Sequence, residues 1–374
     1  MKARAAVLYE MGLPRPYAQS KPLQIVDIEL DPPGPREVLV RMRAAGLCHS
    51  DLSVINGDRP RPLPMAIGHE GAGEVVDVGA EVSDLCGGDH VVAAFVPCCG
   101  SCEPCTSGRP ALCEPGFKAN SAGSLLRGAH RIHRGGARVH HHLGVSAFAE
   151  YAVVARESLV KVDAALPFDE AAIFGCAVMT GVGAVTNTVR PAAGASMAIV
   201  GLGGVGLAAV LGAALLEPAV LIALELNDAK RELARQLGAT HTIDAADPRA
   251  AERVRELTHG GVHYAFEMAG SVKAMELAYS ITRRGGTTVT AGLSHPEHLF
   301  AVPHVGIVAE ERTIKGSYLG SSDPARDIPR YIALYQAGKL PVDRLLSERI
   351  ALDDLNAAFD RLADGRTVRQ VVKL

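Results

Sequence analysis

The chain reads as an α/β protein in two parts: a β-rich, barrel-like part made of short strands, and a doubly wound part built on a parallel sheet. Three observations carry this reading. Thirty-nine glycines and no tryptophan in 374 residues suit a chain with many tight turns. The first third alternates brief valine-rich runs with glycine, the pattern of a small barrel. In the middle third, Ala198-Ile199-Val200 runs into Gly201-Leu202-Gly203-Gly204-Val205-Gly206, then an apolar helix and a second apolar strand ending on Glu225, which is the order of a dinucleotide-binding unit.

Size and composition narrow the classes. A chain of this length supports two or three domains. Hydrophobic content of 48% with 21% charged residues excludes disorder. A net charge of −3 argues against nucleic acid as a partner. The first ten residues lack an apolar signal core, and the longest greasy run, Val205 to Leu216, stops at Glu217-Pro218. Neither a secretory signal nor a membrane span is expected, and the cytoplasm is the expected compartment.

Taken in order, residues 3–9 and 38–43 read as strands, with Asp31-Pro32-Pro33-Gly34-Pro35 as a rigid turn before the second. Gly46-Leu47-Cys48-His49-Ser50-Asp51 reads as a strand end entering a helix. The valine-rich second half of Gly68-His69-Glu70 to Gly79 reads as strand, and Gly87-Gly88-Asp89 as a tight turn before another. Cys99-x2-Cys102-x2-Cys105-x7-Cys113 follows. Four thiolates on one short lobe, 96–114, make a closed tetrahedral zinc site; disulfides are disfavoured in a large chain without a signal. Cys98 and Cys86 read as bystanders. Residues 116–147 interrupt the strand pattern. Arg127, Arg131, Arg134 and Arg138 crowd there with His130, His133, His140, His141 and His142. A solvated surface loop is the expectation, with a second metal site from these histidines as the alternative.

The glycines of the middle third permit a tight turn and close approach of a pyrophosphate, whose charge the helix N-terminus favours. Glu225 accepts hydrogen bonds from ribose hydroxyls and repels a 2′-phosphate, so NAD is expected over NADP, with Lys230 near the ribose. The pattern continues as a helix from Asp228 to Leu237 and strands near 238–243, 263–267 and 287–292. The expected boundaries are 1–177 for the first domain, 178–320 for the nucleotide domain, and 321–374 as a return segment completing the first.

Chemistry centres on Cys48 and His69. A soft thiolate and an imidazole, each near a carboxylate (Asp51, Glu70), are what zinc requires. Cys176, in Gly175-Cys176-Ala177 where the two parts join, is the expected third ligand, leaving one open position.

On these motifs, together with Gly365-Arg366-Thr367-Val368-Arg369, the chain resembles the zinc-dependent medium-chain alcohol dehydrogenases over essentially its whole length. The resemblance implies a GroES-like catalytic domain beside a Rossmann coenzyme domain, and two zinc ions per chain. Catalytic zinc would sit at Cys48, His69 and Cys176, and structural zinc at Cys99, Cys102, Cys105 and Cys113. Asp51 would back His69, with Glu70 behind the metal, Thr180 near the nicotinamide and Arg369 on the pyrophosphate. Ser50 would take the proton of an alcohol while hydride passes to NAD+. Ser53 stands where animal members carry a relay histidine, and His49 replaces an arginine that often contacts the pyrophosphate. Phe95, His142, Leu143, Leu293 and Tyr318 are expected to line the substrate cleft. A homodimer or homotetramer is implied, acting on small alcohols or aldehydes. Oxidation of a polyol or of S-(hydroxymethyl)glutathione is the alternative within the class, and a non-catalytic NAD-binding protein the alternative outside it.

Overall fold

A computed structural model describes residues 1–374 and divides into two compact units. Unit 1 comprises Met1–Cys176, Asp323–Ile332 and Leu346–Leu374; unit 2 comprises Ala177–Ser322 and Ala333–Leu345. The expected single return segment is therefore split. Val342 and Leu345 are buried, and Arg344 donates to the carbonyl and side-chain oxygens of Gln236, which anchors this stretch in unit 2.

Unit 1 holds a closed barrel and a seven-stranded sheet. The barrel runs Lys2–Leu8, Leu23–Leu30, Ile132–Arg134, Ala137–His141, Met65–Ala66. Its interior is filled by residues that alternate along these strands, among them Ala5, Val7, Ile28, Leu30, Ile132 and Val139. Of the stretch 116–147 read as a solvated loop, the start belongs to the helix Glu114–Ala122 and 132–141 form a barrel hairpin. Gly135 and Gly136 make its turn with φ of 57° and 78°, the pair of positive values that a two-residue hairpin needs. Two of the arginines beside it are paired with distant carboxylates: Arg131 Nε donates to Glu37 at 2.6 Å and Arg127 Nη2 to Glu157 at 2.8 Å. No metal-type ligand set forms among His130, His133, His140 and His141. His141 is fully buried and accepts the Arg131 amide, and burial pulls its basicity down to about 3.

In the seven-stranded sheet, Glu37–Gly46 lies at the centre. It pairs antiparallel with Glu70–Val78, with Tyr151–Ala155 and with the C-terminal strand Arg369–Lys373. The sheet therefore brings residues 46–48, 69–70 and 369 into one neighbourhood, although Leu47 and Arg369 lie 322 positions apart.

Unit 2 carries a six-stranded parallel sheet in the order His241–Asp244, Val220–Glu225, Ser196–Val200, Val262–Glu267, Thr282–Thr290, Thr313–Gly316. The first and fourth of these strands in sequence, Ser196–Val200 and Val262–Glu267, are neighbours where the order reverses, and the glycine turn leaves the sheet there. In doubly wound sheets that crevice is where ligands bind. Buried Ala198, Val200, Ile222, Leu224 and Ala265 form its core. No single helix is long and apolar enough to cross a membrane.

Candidate metal and coenzyme sites

The strand Glu37–Gly46 ends against Glu70. A Cβ on Gly46 would lie 2.4 Å from Glu70 Oε2, so only glycine leaves room for that carboxyl. Two residues later Cys48 opens the helix His49–Ile55. Its amide donates to Asp51 Oδ2 at 3.1 Å, which locks the thiol and the carboxylate of one turn together. Gly68, with φ of 99° and no space for a Cβ beside Phe148, turns the chain so that His69 faces the same point. Cys176 arrives at the end of unit 1.

The thiols of Cys48 and Cys176, an imidazole nitrogen of His69 and a carboxylate oxygen of Glu70 lie within 4.8 Å of one another, and all four residues are buried. His69 Nδ1 lies 2.8 Å from Asp51 Oδ1, and its other nitrogen, Nε2, is buried with no hydrogen-bond partner. A buried imidazole nitrogen without a partner, facing two thiols, fits a divalent cation of zinc's preferences, with Asp51 fixing the tautomer.

The electrostatics agree. Cys48 is held well below the usual thiol range by the Cys176 hydrogen bond and by His69. Burial opposes a charged His69, but the Asp51 carboxylate and Cys48 outweigh it and raise its basicity. Burial lifts Glu70 to about 8 against the pull of Arg369. Arg369 was expected on the pyrophosphate. Its side chain is buried and folded onto this cluster, donating to Leu47 O at 2.6 Å and Glu70 Oε1 at 2.9 Å. Where these groups ionise, Arg369 and His69 supply the opposing charge.

Other expected site residues of unit 1 surround this centre. Phe95 meets the His69 ring edge-on at 5.3 Å. His49 is exposed and Ser50 half-buried in the helix that Cys48 opens. Ser53 donates its hydroxyl to His49 O at 2.9 Å. Leu143 is buried with φ of 50°. His142, expected at the substrate cleft, is 1% exposed and sits 3.2 Å from Asp51 Oδ1 through Nδ1. Its backbone amide donates to Ser146 Oγ and Ala66 O, turning the ring inward. Nothing in the local pattern of His140-His141-His142 signals this contact.

The lobe thiols of Cys99, Cys102, Cys105 and Cys113 also lie within 4.8 Å of one another. Backbone amides of Ser101 and Cys102 donate to Cys99, holding it at about 6 despite the cost of burial; those of Cys99 and Gly116 donate to Cys113. Such a preformed ring of sulfurs suits a closed zinc site. Cys98 stays outside it, its thiol donating to the Val96 and Pro110 carbonyls and pushed up by burial to about 12.

In unit 2, Gly201 has φ of 91°, and a Cβ on Gly206 would lie 1.9 Å from Gly201 O. By contrast, a Cβ on Gly203 would meet nothing within 4 Å, which leaves an open cradle at the start of the helix Gly204–Ala214. That cradle and the helix N-terminus fit a pyrophosphate. Glu225 ends its strand with Oε2 accepting the Leu202 amide at 2.6 Å, beside the cradle, and Lys230 follows with its basicity lowered by burial. Thr180 is buried in the helix Ala177–Gly183, while Leu293 and Tyr318 are 56% and 38% exposed.

Comparison with known proteins decides the family. Residues 34–164 match the model described as Alcohol dehydrogenase GroES-like domain, and residues 204–337 that described as Zinc-binding dehydrogenase. The chain belongs to the zinc-dependent medium-chain alcohol dehydrogenases. An NDMA-dependent alcohol dehydrogenase of Amycolatopsis methanolica is 40% identical, covering 100% of this chain and 99% of the relative. An S-(hydroxymethyl)glutathione dehydrogenase of a Synechocystis strain is 36% identical over 100% of both. Among solved structures, benzyl alcohol dehydrogenase of Acinetobacter calcoaceticus superposes with a TM-score of 0.93 at 32% identity, over 100% of this chain and 99% of the other. In this dehydrogenase family member, then, the buried cluster of Cys48, His69 and Cys176 and the lobe of four cysteines lie within the part matched to, or continuous with, the GroES-like domain.

Proposed function

We propose that this dehydrogenase oxidises a primary or secondary alcohol to its aldehyde or ketone, reversibly, with NAD+ as hydride acceptor. The observation that carries the reading is the unpartnered, buried Nε2 of His69 beside the Cys48 and Cys176 thiols. Zinc held there through two thiolates and one imidazole supplies Lewis acidity, lowering the pKa of an alcohol hydroxyl. The protein's share is to place and relay. Asp51 holds the His69 ring, and Arg369 balances the charge behind the ligands. Ser50 takes the hydroxyl proton while giving up its own to water or the coenzyme ribose; Ser53, whose hydroxyl donates to His49 O, supplies no imidazole for a relay. The carbinol carbon loses hydride to the nicotinamide, so alcohol and NAD+ become carbonyl, NADH and one proton. Thr180 borders the nicotinamide, the glycines from Gly201 to Gly206 and Val205 cradle the pyrophosphate, and Glu225 with Lys230 addresses the ribose and favours NAD over NADP. Phe95, Leu143, Leu293 and Tyr318 border the substrate.

A second zinc in the four-cysteine lobe is structural. A reducing compartment, the cytoplasm, keeps these thiols free. The edge strand Thr313–Gly316 is exposed along its length, including Ile314, and supports a homo-oligomer, since an unprotected edge invites a partner strand. S-(hydroxymethyl)glutathione is the second substrate reading, supported by the full-length Synechocystis relative.

The test is metal content per chain, with and without chelator, alongside turnover of an alcohol panel. The panel includes ethanol, benzyl alcohol and S-(hydroxymethyl)glutathione, each with NAD+, NADP+ or NDMA as acceptor. Two zincs, with NAD+-linked turnover tracking the more labile one, are expected. One zinc, or two with no turnover on any pair, overturns the reading.

A further inference from the structure

The crevice of unit 2 has a buried carboxyl on the side opposite Glu225. Glu267 ends the strand Val262–Glu267, beside Ser196–Val200 where the strand order reverses, and is 2% exposed. Its oxygens are met by neutral donors. Oε1 accepts the amides of Ala269 at 2.8 Å and Gly270 at 2.6 Å, and Oε2 accepts the Thr290 hydroxyl at 2.8 Å. The Glu267 backbone carbonyl takes two more amides, those of Ala291 at 3.0 Å and Gly292 at 3.3 Å. One residue therefore ties down both the turn after its own strand and the turn after the next, Thr282–Thr290.

A buried polar group is costly unless bonded, and removing the acceptor leaves each of these donors unsatisfied. Packing gives the two turns little slack. A Cβ on Gly292 would lie 2.2 Å from Gly270 N and 2.7 Å from Glu267 Oε2. One on Gly270, where φ is 73°, would lie 2.9 Å from Leu293 O. The first turn also abuts the coenzyme glycines, since a Cβ on Gly201 would lie 2.6 Å from that of Ala269. A shift of either turn is thus passed to the wall of the crevice.

Topology says which half of a dinucleotide meets this wall. The ligand lies across the crevice, with the acidic residue of the second strand at the adenosine ribose. Glu225 and Glu267 end the strands on either side of Ser196–Val200. With Glu225 at the adenosine half, the turns held by Glu267 border the nicotinamide half.

We infer that Glu267 is a positioning residue for hydride transfer: through the amides of Ala269 and Gly270 and the Thr290 hydroxyl it fixes the two turns that wall the nicotinamide half of the coenzyme. The inference rests on the reading of unit 2 as the NAD-binding part.

Four proteins test this: wild type, Glu267→Gln, Glu267→Leu and Thr290→Val. Each is titrated by calorimetry with NADH and with ADP-ribose, which lacks the nicotinamide, and thermal unfolding is followed alongside. Glutamine keeps a carbonyl oxygen for the two amides and offers an NH2 to the Thr290 oxygen, so it is expected within about twofold of wild type for both ligands. Leucine removes every side-chain acceptor and is expected to weaken NADH about tenfold while ADP-ribose stays within about twofold. Thr290→Val removes one donor of the three and is expected to show the same split at about threefold. Should Glu267→Leu not fold, Thr290→Val decides by that split. NADH and ADP-ribose weakened alike would make Glu267 a support of the whole sheet and overturn the inference. Unchanged NADH affinity in the leucine variant, or a glutamine variant as weak as leucine, overturns it as well. A wild type that binds neither ligand overturns the coenzyme reading itself, and the inference with it.

Discussion

Replacing Arg369 by methionine removes the permanently charged cation that faces Glu70 and Cys48, whose pull on Glu70 exceeds that of His69. Breaking a buried pair by deleting one partner costs about 3–5 kcal/mol, and the structure indicates where in that range the cost falls and how it moves with pH. Glu70 has its carboxyl lifted from 4.5 to about 8, so at pH 6 it is already protonated in the metal-free protein. There the loss is mainly the two hydrogen bonds of the guanidinium to Leu47 O and Glu70 Oε1, offset by no longer burying a charge, and it sits near about 3 kcal/mol. The raised carboxyl stabilises the fold fully below pH 4.5, and that contribution is lost as pH rises through about 8. In the wild type the decline ends near pH 8, where Glu70 ionises against Arg369. Without Arg369 the carboxyl must stay protonated to higher pH, and the decline continues at about 1.4 kcal/mol per pH unit. The cost of Arg369→Met therefore grows by about that amount between pH 8 and pH 9. Urea unfolding of protein freed of its labile zinc, followed by far-UV circular dichroism because the chain has no tryptophan, reads this directly. A penalty below about 1 kcal/mol at every pH, or one that shrinks above pH 8, would refute the role given to Arg369.

Three further outcomes are expected. Cys176→Ala loses one zinc per chain and all alcohol turnover while NADH binding is retained; full turnover would remove Cys176 from the centre. Glu225→Ala lowers the NAD/NADP preference by about tenfold or more, the worth of a hydrogen bond to a charged group, and an unaltered kcat/KM ratio for the two coenzymes would reject the assignment. Gly206→Ala drives a Cβ into Gly201 O, so it costs about 1–3 kcal/mol and weakens NADH binding measured by calorimetry; undiminished affinity would mean that the turn does not cradle the coenzyme.

Local signals were legible and distant contacts were not. The run Gly201 to Gly206 announces its turn because the requirement for small residues is written into adjacent positions. The four lobe cysteines announce theirs because metal geometry sets a short spacing. Cys48 and Asp51 share one helical turn, so their pairing is local as well. The pairing of Arg369 with Glu70 spans 299 positions, and that of His142 with Asp51 joins a barrel hairpin to a helix; no periodicity encodes either. The hairpin itself was misread because four arginines and five histidines outweigh its alternation. The clue was present in Ile132 and Val139 facing inward around Gly135-Gly136.

The strand Arg369–Lys373 pairs with Glu37–Gly46 on one side and with the edge strand Leu346–Ala351 of the unit 1 sheet on the other. On the ribosome this strand emerges after every cysteine and histidine of the metal centre has left the tunnel. Unit 2, apart from Ala333–Leu345, is continuous in the chain and can fold during synthesis, while unit 1 waits with a gap in its sheet. Throughout that interval Glu70 and Leu47 O lack the Arg369 guanidinium. Docking of this strand, which must find a place beside one formed three hundred residues earlier, is thus the step that completes the centre.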